Sequence, residues 1–131
     1  MADIVLALRP KWLELILSGR KTAEFRRVMP KRLECDDWVY LYCKGYIHGR
    51  VRVQNYDRAD MYNDPEDGCR ALARYYHRQG GLTREEAYNY LRGGKSPGVI
   101  HLAEVQCNKY PVRWEGVGHP QNFIYLKGAR W

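Results

Sequence analysis

The densest group of side chains that could do chemistry lies in a short basic segment. Residues 20–32 contain one acidic side chain, Glu24, and six basic ones: Arg20, Lys21, Arg26, Arg27, Lys31 and Arg32. A carboxylate among cations is ionised, and it can accept hydrogen bonds from the exocyclic amine of a nucleobase or from a bound water. In an extended segment Thr22, Glu24 and Arg26 share one face, and Lys21 can point into the same cleft. Spacing alone favours a simpler interpretation, a weak surface ion pair between Glu24 and a neighbouring arginine.

Two further stripes of basic side chains could hold phosphates. The first is on a predicted helix and the second is on a predicted strand: Arg70, Arg74, His77 and Arg78, then His48, Arg50 and Arg52. A solvated face is the commoner meaning of such a stripe, and the pattern leaves both interpretations open.

The register of a predicted hairpin bears on the second stripe. A strict two-residue turn at Lys44-Gly45 would place the aromatic residues of the preceding strand beside aliphatic ones. A one-residue bulge would instead place them beside the basic stripe and create a stacking platform. The aromatic residues concerned are Trp38, Tyr40 and Tyr42.

Templates for catalysis and for metal binding are missing from the sequence. It contains no G-x-S-x-G, phosphate-binding loop, H-E-x-x-H or dinucleotide fingerprint. Its cysteines form no C-x-x-C pair and have no histidine at zinc-ligand spacing: Cys35, Cys43, Cys69 and Cys107. We therefore expect reduced, mostly buried thiols, no metal and no cofactor.

Length and charge restrict the class of protein. A chain of 131 residues fits one domain, covering residues 1–131. Lys and Arg number 22 against 15 Asp and Glu, so the net charge is +7, which favours anionic partners. The first residues lack the pattern of a secretory signal, and no apolar run is long enough to span a bilayer. We expect a cytoplasmic protein that does not bind membranes.

Periodicity and capping signals predict an α+β fold, with a small barrel-like sheet and flanking helices. The predicted strands are 4–8, 22–25, 38–43, 46–54, 99–107 and 123–126. Helices are predicted to begin at Pro10, after Asp64 and after Thr83, because these residues suit helix starts. Gly19 is expected to end the first helix in a left-handed conformation.

The basic segment and its flanks resemble a known family. The motif G-x-K-x-x-E-x-R after an amphipathic helix is typical of the ASCH domain, a PUA-like family, and it is matched by Gly19, Lys21, Glu24 and Arg26. Residues 7–12, 36–42, 49–51 and 120–126 are also similar to the family's segments. The resemblance covers nearly the whole chain.

The resemblance implies a PUA-like β-barrel, with a cleft between the first helix and the sheet, and an RNA-related role. One branch of the family hydrolyses the acetyl amide of acetylcytidine with a lysine, a threonine three residues later and a distant glutamate. Lys21 matches that lysine, but Glu24 occupies the threonine position. Another member of the family has been described as a ribonuclease.

We therefore expect a protein that binds RNA or a nucleotide in this cleft. Lys21 and Arg26 would hold a phosphate or carbonyl oxygen, and Glu24 would read an amine on a base edge. The other expected contacts are Arg9, Arg20, Arg27, Arg50 and Arg52 to the ligand, with Trp12, Tyr42 or Tyr125 stacking on the base. Two alternatives remain open: an RNA-acting hydrolase that uses Lys21 and Glu24, and a protein-interaction module of transcription complexes.

Overall fold

The computed structural model of the chain describes residues 3–116 and 118–126. The strands are β1 (Ile4–Ala7), β2 (Ala23–Arg26), β3 (Trp38–Cys43), β4 (Tyr46–Arg58), β5 (Gly98–Arg113) and β6 (Phe123–Tyr125). The helices are α1 (Pro10–Leu17), α2 (Pro65–Tyr76) and α3 (Arg84–Arg92), with a 3₁₀ turn at Ala59–Met61. β4 and β5 are longer than their apolar runs predict: β5 continues as an exposed strand beyond the core, and β4 continues through residues 55–58, which pair with the start of β5.

The strands form one mixed sheet of six in the order β2-β5-β4-β3-β1-β6. β1 is parallel to β3 and antiparallel to β6, and the remaining pairs are antiparallel. The sheet curls into a half-barrel with the helices beside it, which confirms the predicted α+β barrel-like fold. Among the described strands β2 lies at one edge of the sheet and pairs with β5 alone.

Each helix begins where the sequence signals indicate. Pro10 occupies the first turn of α1, and the Asp64 side chain accepts a hydrogen bond from the backbone N–H of Glu66. Thr83 and Glu86 form both hydrogen bonds of a capping box. These side chains satisfy N–H groups that a helix start leaves without partners.

Two apolar clusters fix the helices on the sheet. α1 buries Leu13 and Ile16 against β1, β3 and β4. α2 and α3 bury their apolar faces against β2 and β5, and Phe25 of β2 belongs to this second cluster. β2 therefore continues directly from the loop after α1 and is clamped by α2 and α3.

The end of α1 sets the direction in which the chain enters β2. Gly19 has a φ of +78°, the left-handed conformation that the sequence predicts. Its N–H donates to the carbonyl of Ile16 at 3.0 Å, and the N–H of Lys21 donates to the carbonyl of Leu15 at 2.9 Å. The chain thus folds back on the helix just before the basic segment.

The β3–β4 hairpin combines both predicted registers. Its turn has two residues, and Tyr42, next to the turn, stays opposite an aliphatic residue. A bulge between Tyr40 and Tyr42 then places Tyr40 opposite Arg50 and Trp38 opposite Arg52. The guanidinium carbons of Arg50 and Arg52 lie 3.7 and 4.0 Å from the Trp38 ring centroid. The bulge therefore directs the basic stripe onto an aromatic ring of the same sheet.

The prediction of mostly buried cysteines holds for half of them. Cys43 and Cys69 are buried, whereas Cys35 and Cys107 are exposed. Cys107 is exposed because β5 extends past the core at that point. None of the helices in residues 3–116 and 118–126 is long and apolar enough to cross a membrane.

Candidate functional site

A cleft of about 630 Å³ opens where the start of α1 faces β2 and the segment that joins α2 to α3. Its walls come from distant parts of the chain, because β1, β2 and the segment before β6 all contribute lining residues. Charged and aromatic side chains line it together with apolar ones. The polar and aromatic lining comprises Arg9, Trp12, Lys21, Glu24, Phe25, Arg26, Arg27, Tyr42, Tyr90 and Gln121.

Glu24 lies in the wall of this cleft between two cations. Its Oε1 is 3.4 Å from Nζ of Lys21, and its Oε2 accepts a hydrogen bond from Arg26 at 3.0 Å. The exposed fractions of the three side chains are 3% for Lys21, 7% for Glu24 and 11% for Arg26. The surface ion pair that spacing favoured is therefore wrong, because all three side chains are almost fully buried in the wall of the cleft.

Lys21 is held in place by three different contacts. Its Nζ donates to the carbonyl oxygen of Gly80 at 2.6 Å, faces Glu24, and lies 4.8 Å from the Trp12 ring centroid. Burial lowers the pKa of Lys21 below its ordinary value of 10.5, because desolvation outweighs the opposing effect of Glu24. The amine thus gives up its proton more readily than an exposed lysine does.

This lowered pKa predicts how stability depends on pH. Between the pKa of folded Lys21 and 10.5, the unfolded chain binds more protons, so the free energy of unfolding rises with pH. Below that window both states hold the proton, and the cost of burying the charge is fully present. Because methionine does not titrate, we expect the stability of the wild type minus that of Lys21→Met to increase as the pH rises through this window toward 10.5. Urea unfolding at several pH values measures this difference, and a difference that is flat or falls contradicts the assignment.

The mouth of the cleft carries two exposed arginines, Arg9 and Arg27. Arg27 stacks on Tyr90, with 4.6 Å between its guanidinium carbon and the ring centroid, and its Nε donates to the Tyr90 carbonyl at 3.1 Å. This contact orients the guanidinium of an exposed side chain. Both arginines can therefore meet an anion that approaches the cleft.

Tyr42 lines another wall, but its hydroxyl is already engaged. The ring is buried, and its oxygen lies 2.6 Å from Nδ1 of His119. The ring also meets Trp114 edge-to-face, with 6.1 Å between centroids. Tyr42 therefore presents part of its ring to the cleft and ties the segment before β6 to the hairpin.

The fold brings seven of the eleven side chains selected from the sequence into this one cleft: Arg9, Trp12, Lys21, Glu24, Arg26, Arg27 and Tyr42. Four lie elsewhere: Arg20, Arg50, Arg52 and Tyr125. The Arg50 and Arg52 guanidiniums occupy the Trp38 platform described above, on the hairpin.

The other two lie on different surfaces for simple structural reasons. Arg20 follows the end of α1 and turns back toward Glu14, 3.7 Å away, with both side chains exposed. Tyr125 packs on the main core from β6, and the Arg32 guanidinium covers its ring at 3.9 Å. The expectation that Tyr125 stacks on a base in this cleft is therefore wrong.

Sequence reasoning missed three parts of the cleft. The Gly80 carbonyl, which accepts the Lys21 hydrogen bond, belongs to the backbone and leaves no mark in a side-chain motif. Tyr90 sits on a helix whose apolar pattern indicates only packing, and Gln121 was noted only within the family-like segment 120–126. Across the described residues, no group of three or more His, Cys, Asp or Glu side chains is arranged to hold a metal ion.

Comparison with known proteins finds a family match over most of the chain. The model of the ASCH domain matches residues 6–117. The crystal structure of ASCH from Zymomonas mobilis is similar with a TM-score of 0.77 and 20% identity, covering 96% of this chain and 88% of that one. A tyrosine-to-phenylalanine mutant of the same protein has a TM-score of 0.78 and 20% identity, covering 96% and 91%. No curated protein matches the sequence.

Proposed function

The chain belongs to the ASCH domain family. We propose that its cleft binds one nucleotide, which is either part of a single-stranded RNA or a free nucleotide. The observation that carries this proposal is the buried carboxylate of Glu24, held between Lys21 and Arg26 in the wall of an open cleft. Burying three charges costs folding free energy, and a cleft without a polar ligand offers no interaction that offsets this cost. The edge of a nucleobase has donors and acceptors that can form hydrogen bonds with all three charged side chains.

The remaining lining supports the same ligand. A volume near 630 Å³ falls within the range of roughly 300–1,000 Å³ that small-molecule sites occupy. Trp12 and Tyr90 offer ring faces on which a base can stack. Arg9 and Arg27 at the mouth can hold the phosphates on either side of the bound nucleotide. In this mode of binding the aromatic rings contact the base, and the arginines contact the phosphates.

This proposal predicts an electrostatic affinity. We expect the affinity for single-stranded RNA to fall with salt, by a slope of about −0.7 in log affinity against log salt for each phosphate contacted. Removing both mouth cations in Arg9→Ala/Arg27→Ala should therefore make the slope shallower by about 1.4. Fluorescence anisotropy across a salt series measures it.

The control variant, Arg70→Ala/Arg74→Ala, removes the same charge from α2, away from the cleft. We expect it to keep the slope of the wild type. An equal decrease of the salt slope in both double variants would mean that RNA affinity depends on the net charge of the protein and not on the arginines of the cleft. Affinity independent of salt, or no binding at all, would contradict the proposal.

A second function, hydrolysis of an acylated base amine, is favoured by the lowered pKa of Lys21. An amine that loses its proton readily can act as a nucleophile or a base, and Glu24 lies 3.4 Å from it. Because Glu24 occupies the place of the threonine in the amidohydrolase branch, we expect acetylcytidine to be bound without rapid turnover. Chromatographic release of cytidine by the wild type, abolished in Lys21→Met, would instead establish this activity.

A further inference from the structure

We infer that the base recognised in the cleft is uracil, an inference that rests on the proposed RNA-binding function. The Lys21–Glu24–Arg26 cluster presents a donor, an acceptor and a donor in that spatial order. The Watson–Crick edge of uracil presents the complement: the O4 carbonyl, the N3–H group and the O2 carbonyl. The cluster therefore matches uracil at all three positions of this edge.

The order of the three side chains follows from their contacts. Glu24 is central because one of its oxygens faces Lys21 and the other faces Arg26. An ionised carboxylate has about four lone-pair positions, so two contacts leave room for an incoming N–H. The sequence order Lys21, Glu24, Arg26 is thus also the order along the cleft wall.

Both flanking cations have donors to spare. The Lys21 amine carries two or three hydrogens, of which one is directed to the Gly80 carbonyl. The Arg26 guanidinium carries five N–H groups, of which one on Nη1 donates to Glu24, and the side chain lines the cleft. Its remaining terminal N–H groups are donors that a carbonyl oxygen of the ligand can engage. Two carbonyl groups flanking one N–H satisfy both cations together.

The other bases place the wrong group against Glu24. Cytosine and adenine have a ring nitrogen with a lone pair where uracil has N3–H, and that lone pair would face the carboxylate. Guanine does offer a ring N–H, but its exocyclic amine would then face the guanidinium of Arg26, donor against donor. Each mismatch buries a polar group without a partner, which costs more than a missing contact. The ring N–H of uracil, and not the exocyclic amine expected from the sequence, is therefore the group that Glu24 reads.

The test compares oligouridylate with oligocytidylate and oligoadenylate of equal length, bound to the intact wild-type chain at fixed low salt. We expect oligouridylate to bind about tenfold tighter or more, equivalent to about 1.4 kcal/mol. Two modified oligouridylates serve as matched ligands, one methylated on N3 of the base and the other on C5. The N3 methyl group removes the hydrogen that Glu24 accepts, whereas the C5 methyl group lies away from that edge.

We expect N3 methylation to reduce the affinity to that of oligocytidylate, and C5 methylation to leave it within about twofold of oligouridylate. The variant Arg9→Ala should weaken the binding of all the oligomers by the same factor, because Arg9 lies at the mouth and not in the cluster. Equal affinities for all oligomers, or equal effects of the two methyl groups, overturn uracil recognition and leave RNA binding standing. Failure of every oligomer to bind overturns the proposed function itself.

Discussion

Replacing Glu24 with leucine should lower the free energy of unfolding by about 3–5 kcal/mol, the usual cost of leaving a buried charge without its partner. Lys21 can respond by losing its proton, but the guanidinium of Arg26 keeps its charge. Leucine has a similar volume, so the loss reports the charge and not a cavity. Thermal unfolding should show a melting temperature lower by about 10 °C or more.

The matched control is Glu14→Leu, which removes a carboxylate facing Arg20 at 3.7 Å on the exposed side of α1. We expect it to change stability by less than about 1 kcal/mol, because water screens that pair. A double variant, Glu24→Leu/Arg26→Leu, should recover part of the lost stability, since removing both charges leaves neither buried alone. Equal effects of Glu24→Leu and Glu14→Leu would show that the cluster is not buried as described.

Two neighbouring glycines after α3 should respond oppositely to the same substitution. A Cβ on Gly94 would lie 2.3 Å from the carbonyl oxygen of Arg27 and 2.6 Å from its Cα, so backbone must move. We expect Gly94→Ala to cost about 1–3 kcal/mol, as overpacking does elsewhere. Because the displaced residue belongs to the mouth of the cleft, RNA binding should weaken together with stability.

Gly93→Ala is the control one residue away. Gly93 has a φ of −84°, and a Cβ there meets nothing closer than the Tyr90 carbonyl oxygen at 3.9 Å. Alanine in a compatible conformation restricts the unfolded chain, so we expect a gain of about 0.4–1 kcal/mol. Chemical unfolding and RNA titration of both variants check the pair. A harmless Gly94→Ala would mean that the loop does not lie against Arg27.

The elements were predictable because their signals are local. Helix caps such as Asp64 and Thr83 satisfy nearby backbone N–H groups, so sequence neighbours suffice to identify them. The extensions of β4 and β5 were not predictable, because these segments are held by pairing with a distant strand and need no alternating apolar pattern. The sequence left the hairpin bulge as one of two open registers, because either register buries an acceptable set of side chains.

The residues of the site could be predicted from the sequence, whereas their burial could not. Lys21, Glu24 and Arg26 were selected correctly as neighbours, but their surroundings come from distant parts of the chain, such as the Gly80 carbonyl and the segment before β6. Spacing describes one strand and contains no information about what covers it. The contact between Lys21 and the Gly80 carbonyl joins residues 59 positions apart and could not be inferred from local pattern.

The pairing of β6 with β1 determines how readily one wall of the cleft separates from the sheet. β6 is three residues long, half-buried, and bonded to the sheet along one side. Short edge elements of this kind separate from a protein at far lower free energy than its central strands. The N–H of Ala7, which lines the cleft, donates to the carbonyl of Asn122 at 2.8 Å, beside Gln121 of the cleft wall. Hydrogen–deuterium exchange at the Ala7 amide therefore reports how often that wall detaches.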